Sequence, residues 1–159
     1  MFERNMADSK AVYDLLCKMF DNREWQYEKI EKELMIKSSL DGDNFPIEFD
    51  MRVIPECEIV SFLSWLPIKI SKEKRMDMAL TVCAVNNRLV AGSFDYNMLS
   101  GEIAFRFTTC YQGSILSEEL LEDMIMISWA LIDEYSDKFF TIANNTMTLQ
   151  EFIESRRES

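Results

Sequence analysis

The chain contains no histidine, the side chain that most often serves proteins as a general base and as a metal ligand. This absence excludes Ser-His and Cys-His nucleophile pairs, and it excludes almost every zinc site except one built from cysteines alone. Catalysis by carboxylate, lysine or tyrosine side chains stays open. A chain of 159 residues without histidine nevertheless favours a binding protein over an enzyme.

The sequence also lacks closely spaced cysteines and a secretory signal. Its four cysteines, Cys17, Cys57, Cys83 and Cys110, form no C-x-x-C pair and lie in apolar or strand-like stretches. This predicts four buried thiols in a reducing compartment, rather than a metal site or two disulfides. Acids among the first residues and the lack of an apolar stretch there predict a cytoplasmic protein. We expect neither a metal nor a cofactor.

No apolar run approaches the ~20 residues that a membrane-spanning helix needs. Basic residues are few, with 17 Lys and Arg against 28 Asp and Glu and a net charge of −11. Nucleic acids and anionic membranes bind clusters of Lys and Arg, so both are poor candidates for a partner. Apolar residues make up 48% of the chain, which is enough for the core of a single domain over residues 1–159.

The spacing of apolar residues predicts an α+β domain in the order α-β-β-β-α-β-β-α, with a short helix at the end. The predicted elements are a helix over 8–20, strands over 31–39, 46–54 and 58–66, a helix over 72–86, a hairpin over 94–107, a long helix capped by Ser117, and a short helix over 149–155. Five strands are therefore expected.

Two of the predicted elements, the strand over 58–66 and the helix over 72–86, have apolar residues on both sides, whereas packing on a single core needs only one apolar side. Apolar residues, including Phe62 and Trp65, lie on both faces of the strand over 58–66. Such a strand is either central in its sheet or meets another chain with its outer face. The helix over 72–86 likewise has two apolar sides. Pro67 disfavours further central pairing beyond the strand.

The hairpin region resembles the YbjN family of bacterial proteins in its pattern Asn86-x-x-Leu89-x-x-Gly92-x-Phe94, followed by Gly101-Glu102-Ile103 and Arg106. The resemblance extends over most of the chain. It implies a fold like that of the type III secretion chaperones, in which helices pack on one face of an antiparallel sheet and chains commonly pair as dimers. It also implies a regulator of sensory transduction and offers no catalytic residues to carry over.

Most residues of this pattern have a structural interpretation. Gly92 suits a helix-to-strand turn and Gly101 a hairpin turn. Asn86 either caps the free carbonyls of a helix end or bonds to a neighbouring loop. Glu102 and Arg106 project from one face of the last strand, as an ion pair in solvent or as a charged recognition surface. Phe62, Trp65, Glu102 and Arg106 are the predicted partner-binding residues.

Three functions follow from these features. The first, which we predict, is a non-catalytic regulatory or chaperone-like module that binds protein as a homodimer; eleven methionines suit adaptable surfaces. The second is an enzyme whose carboxylates have a raised pKa, from the acids Glu118, Glu119, Glu122 and Asp123. The third is a small-molecule sensor with an apolar pocket between sheet and helices, lined by Trp65, Phe94, Tyr96 and Trp129.

Overall fold

The computed structural model describes residues 2–155, whose elements follow the predicted order with one additional strand. The helices are α1 (Phe2–Asn22), α2 (Arg75–Asn86), α3 (Glu118–Ala143) and α4 (Leu149–Ser155). The strands are β1 (Glu28–Ile30), β2 (Met35–Asp41), β3 (Pro46–Ile54), β4 (Ile59–Lys69), β5 (Ser93–Asn97) and β6 (Glu102–Cys110). Short 3₁₀ turns precede β2 and α2.

The six strands form one antiparallel sheet in the order β1-β2-β3-β4-β6-β5. The prediction of five strands is therefore wrong by one. The additional strand, β1, has only three residues and none of them is buried, so no alternation of apolar side chains marks it in the sequence. The strand predicted over 31–39 starts later, at Met35, because Leu34 adopts the left-handed conformation with φ 48°.

The strand β4 lies at the centre of the sheet, between β3 and β6, as its two apolar faces suggested. It continues past Pro67 to Lys69, further than predicted. The pairing with β6 loses its register between Trp65 and Lys69. Pro67, which has no N–H to donate, thus lies where the ladder is already interrupted.

The helices cover one face of the sheet, here called the inner face. Alternate residues of β3, such as Phe49 and Met51, are buried on it, whereas the residues between them, such as Glu48, face the opposite, outer face. The helices α1, α2 and α3 contact β3, β5, and both β4 and β6, respectively. The outer face carries no helix among the described residues, and the predicted one-sided arrangement follows from this burial pattern.

Aromatic side chains of the inner face pack against one another and against α3. The rings of Phe49 and Phe62 stack with centroids 4.9 Å apart. Phe94 packs edge-on against Phe105 at 5.0 Å and against Phe139 of α3 at 4.9 Å. Each such pair adds about 0.5–1.5 kcal/mol to the stabilisation from apolar burial. These rings align β3, β4, β6 and β5 beneath one helix.

The ends of α3 and α4 agree with the sequence. Ser117 caps α3 as predicted, because its Oγ accepts the N–H of Leu120 at 3.2 Å. The short terminal helix spans Leu149–Ser155, and its buried residue is Phe152.

The turn between β2 and β3 is fixed to α3 at three points. The hydrogen bonds run from the N–H of Asp43 to Asp133 Oδ1 (2.8 Å), from Asn44 Nδ2 to Asp137 Oδ1 (2.7 Å) and from Trp129 Nε1 to the carbonyl of Asp41 (2.8 Å). A hairpin turn was predicted here, but the sequence did not predict that it is attached to α3.

The prediction of four buried thiols is wrong for three of them. Cys17 is buried in α1, whereas Cys57, Cys83 and Cys110 are exposed. Cys57 lies in the β3–β4 turn, Cys83 on the uncovered side of α2, and Cys110 at the end of β6. All four are free.

Asn86, at the last turn of α2, holds the edge strand β5. Its Nδ2 donates to the carbonyl of Phe94 at 2.9 Å, and its Oδ1 accepts the N–H of Phe94 at 2.8 Å. In an antiparallel pair, every second residue directs its backbone N–H and C=O away from the neighbouring strand. Phe94 is such a residue, and the side-chain amide of Asn86 binds its N–H and its carbonyl as a further strand would do. The bond to a neighbouring segment, one of the two predicted roles, is the one observed.

Replacing Asn86 with alanine leaves both part-buried backbone groups of Phe94 without a partner. We expect Asn86→Ala to lower the free energy of unfolding by about 1–3 kcal/mol, as measured by urea denaturation. The matched control is Asn87→Ala, whose side chain is exposed and whose loss should cost less than about 0.5 kcal/mol. Equal midpoints for the two variants would contradict the role of Asn86.

Candidate functional site

The four residues predicted to bind a partner do not lie on one face of the sheet. Phe62 is 0% exposed on the inner face, where it packs between Phe49 and Phe105. The prediction for Phe62 is therefore corrected: it is a core residue, because the inner face of β4 lies beneath α3. Trp65 lies on the outer face and is 56% exposed.

Trp65, Glu102 and Arg106 come together on the outer face. Trp65 and Glu102 line a hollow of about 490 Å³, together with Asp95, Met98 and other residues of β4, β5 and β6. Arg106 borders this hollow and binds Asp95 through two hydrogen bonds, from Nε to Oδ2 at 2.7 Å and from Nη2 to Oδ1 at 3.2 Å. The ion pair of Arg106 is thus formed across strands with Asp95 and not with Glu102.

A second hollow continues the first on the other side of Trp65. It has a volume of about 420 Å³ and shares Leu63 and Trp65 with the first hollow. The two hollows together are called the outer groove. Its lining residues come from five neighbouring strands: Lys37, Ser38 and Ser39 of β2, Glu48 and Asp50 of β3, Leu63 and Trp65 of β4, Glu102 and Ala104 of β6, and Asp95, Tyr96 and Asn97 of β5, with Met98 beyond it.

Among the charged residues that line the outer groove, carboxylates outnumber cations: Glu48, Asp50, Asp95 and Glu102 against Lys37. Within residues 8–155, whose side chains are described, neither Glu48 nor Glu102 lies in an ion pair. Burial raises the pKa of the Asp50 carboxyl, and Lys37 opposes that rise. Because Asp95 neutralises Arg106, the groove presents more negative than positive charge to solvent.

A separate apolar surface lies on the uncovered side of α2. Met76 is 62% exposed and Leu80 49%, and they form one stripe with the exposed Cys83 because four and then three residues separate them along the helix. The opposite side of α2, which carries Met78, is buried. We call Met76, Leu80 and Cys83 the α2 stripe. It accounts for the second apolar side noticed in the sequence.

Glu118 and Glu122, two of the four acids predicted as a catalytic cluster, form ion pairs with Lys18 and Arg23. Asn22 Nδ2 donates to Glu118 at 2.9 Å, and Arg23 Nε donates to Glu122 at 2.7 Å. Hydrogen bonds from Asn22, and next from Lys18, lower the pKa of Glu118. The expected rise in pKa is therefore wrong for Glu118, and it is also wrong for Glu119, whose pKa is lowered by hydrogen bonding to its own backbone N–H. This network joins α1 to α3.

The aromatic residues predicted to line a sensor pocket do not share one. Phe94 is buried among the rings of the inner face, and Trp65 lies on the opposite face. Trp129 donates its indole N–H to Asp41 at the β2–β3 turn. Only Trp65 and Tyr96 line a common hollow, and that hollow is on the outer face.

Among the described residues, no group of three or more His, Cys, Asp or Glu side chains is placed to hold a metal ion. Over the same part of the chain, no helix is long and apolar enough to span a membrane.

Comparison with protein families decides the relationship. The YbjN family, described as "Putative bacterial sensory transduction regulator", matches residues 13–141. The chain belongs to the YbjN family. The matched range contains all six strands, α2 and the whole outer groove. A comparison with curated proteins gave no match.

Solved structures share the fold of this YbjN-family chain at low sequence identity. YbjN from E. coli, described as "a putative transcription regulator", has a TM-score of 0.60 and 10% identity, and the match covers 77% of this chain and 86% of that one. A chain of the ExsC–ExsE complex has a TM-score of 0.51 and 13% identity over 80% and 91% of the two chains. A chain of the HopA1–SchA chaperone–effector complex has a TM-score of 0.52 and 12% identity over 77% and 95%. These likenesses confirm the chaperone-like fold.

Sequence reasoning missed Leu63 and Met98 as lining residues of the outer groove. It assigned Tyr96 to a pocket between the sheet and the helices. In the structure β5 ends at Asn97, so Met98 leaves the sheet and is exposed. The two apolar faces of β4 were the one signal that pointed to Leu63.

The lowered pKa of Glu118 predicts how stability depends on pH. A carboxyl whose pKa is lower in the folded chain stabilises it above the ordinary glutamate pKa of about 4.3, and this contribution is lost as the pH falls. Between about pH 6 and pH 3, wild type should therefore lose more stability than Glu118→Gln, measured by urea denaturation at each pH. The matched control is Asp123→Asn, which removes an exposed carboxyl of the same helix and none of the bonds to Glu118. Parallel slopes for wild type and Glu118→Gln would rule out the Asn22–Glu118 interaction.

Proposed function

We propose that this YbjN-family chain is a non-catalytic regulatory or chaperone-like module that binds a protein partner and acts as a homodimer in the cytoplasm. The observation that carries the proposal is the outer groove, where a half-exposed tryptophan lies on the central strand. The ion-paired acids of α3 support a role without catalysis. Free cysteines are typical of a reducing compartment.

Trp65 has the properties of an interface anchor. A tryptophan with more than half of its surface in water on a central strand leaves a large apolar area uncovered. Tryptophan is also among the residues that carry most binding energy at protein interfaces. Two of the structures with this fold were solved as complexes, ExsC with ExsE and a chaperone with an effector. These observations together support a protein partner.

The α2 stripe supports a second copy of the chain as the other partner. Pairing of two sheets through β5 would compete with the bonds that Asn86 makes to Phe94. The stripe has no such obstacle, because Met76, Leu80 and Cys83 are exposed along one side of α2. We therefore assign the dimer interface to α2 and not to the β5 edge.

Removing apolar surface from the α2 stripe should dissociate the dimer. We expect Met76→Ser with Leu80→Ser to halve the mass measured by light scattering, while circular dichroism stays unchanged because neither side chain is buried. The matched control is Ile153→Ser, on an exposed position of α4. A monomeric wild type at high concentration, or a dimer that survives the double substitution, would contradict this interface.

Replacement of Trp65 should weaken capture of the protein partner. Trp65→Thr keeps a residue that favours strands, and we expect it to lower the affinity for the captured partner by at least about tenfold. The measurement is capture from cell lysate with quantitative mass spectrometry, followed by titration of the partner. Ile115→Thr serves as the control because Ile115 is 98% exposed but lies in the β6–α3 loop. Equal capture by both variants would contradict a role for the outer groove.

A further inference from the structure

We propose that the outer groove binds an extended protein segment in which basic residues flank a bulky apolar one, in the pattern basic-x-apolar-x-basic. This proposal rests on the proposed function, and it adds the chemical class of the partner and its orientation. The segment crosses the strands of the sheet, with its apolar side chain on Trp65 and its basic side chains at Glu48 and Glu102.

The dimensions of the groove suit an extended chain. The groove runs from β2 to β5 and therefore crosses four gaps between neighbouring strands. At about 4.8 Å per gap its length is about 19 Å, and an extended chain of about 3.3 Å per residue covers this distance with about six residues. One short segment therefore fills the groove from end to end.

Trp65 is the apolar contact at the middle of the groove. It is the most exposed apolar residue of the groove, and it lines both hollows. Opposite it on β6 lies Ala104, which lines one of the two hollows with Trp65. The face of an indole ring binds apolar side chains and also attracts the cationic ends of Lys and Arg.

Two carboxylates lie on the strands that neighbour Trp65, Glu48 on β3 and Glu102 on β6. On β6, Glu102 lies two residues from Ala104, the partner of Trp65, and it pairs with Lys69 beyond the register shift of β4. On β3, Glu48 lies two residues from Asp50, which pairs with Leu63, so it stands beside Trp65 on the same face. Alternate residues of an extended segment point to one side about 6.6 Å apart. Basic residues two places before and after the apolar one therefore reach both carboxylates.

Charge decides which class of partner fits. Nucleic acids and anionic lipids would meet a chain with a net charge of −11 and a groove lined by carboxylates. A second copy on this face would place the same carboxylates opposite one another, since a two-fold interface pairs identical surfaces. A basic segment of a different protein meets no such repulsion, and its positive charges compensate Glu48 and Glu102.

The test uses synthetic peptides and the resonance of the Trp65 indole N–H, which Trp65→Phe assigns. We expect a peptide containing Lys-Ser-Leu-Ser-Lys to shift this resonance saturably. Its affinity should exceed by about tenfold that of the same peptide with Glu for Lys, or with Ser for Leu. Because charges in water are screened over about 10 Å at 0.1 M salt, added salt should weaken binding.

Matched charge variants make the test specific. Glu48→Gln with Glu102→Gln should weaken binding of the lysine peptide by about tenfold. The control, Glu56→Gln with Asp123→Asn, changes the net charge equally at two exposed positions outside the groove and should have little effect. Equal losses in both double variants would overturn the proposal.

Three further outcomes would also overturn it. These are equal binding of the leucine-free peptide, no saturable shift with any peptide, and a shift of the Trp65 resonance with protein concentration alone, which would show a second copy on this face. If the peptides fail but Trp65→Thr still abolishes capture of a natural partner, the proposed function stands and only the basic-x-apolar-x-basic assignment is lost.

Discussion

The packing of Phe94 is the contact on which the rest of the structure depends. Its ring meets Phe105 of the neighbouring strand and Phe139 of α3, and its backbone is bonded to Asn86 of α2. One residue therefore fixes the edge strand relative to the sheet, the long helix and the second helix at once. Because side chains alternate along a strand, placing Phe94 inward also places its neighbour Asp95 outward, where it holds Arg106.

The inner face of the sheet stabilises the fold, and the outer face carries the groove that we propose as the binding site. The inner face buries aromatic rings such as Phe49, Phe62, Phe94 and Phe105 under the helices, while no helix among the described residues covers the outer face. The strand β4 carries apolar residues on both faces. Its inner residues, such as Phe62, are buried in the core, and its outer residue Trp65 is exposed to solvent.

Much of the fold could be predicted from local patterns, but the site could not be assembled from them. The alternation over 46–54, the cap at Ser117 and the hairpin turn with Gly101 each depend on a few adjacent residues. The strand β1 has no such local signal, because none of its three residues is buried. It is held in the sheet by backbone pairing with β2. Which face of β4 the helices cover depends on packing between distant elements, so periodicity alone could not distinguish Phe62 from Trp65.

The hydrogen bonds between the β2–β3 turn and α3 bear on the entropy of binding. A hairpin turn held only by its two strands would lose conformational entropy if a segment bound against it. Here the turn is already tied to the longest helix through Asp43, Asn44 and Trp129. The wall of the groove formed by β2 and β3 is thus ordered in the free chain, so in the complex that we propose the loss of conformational freedom would fall mainly on the incoming segment.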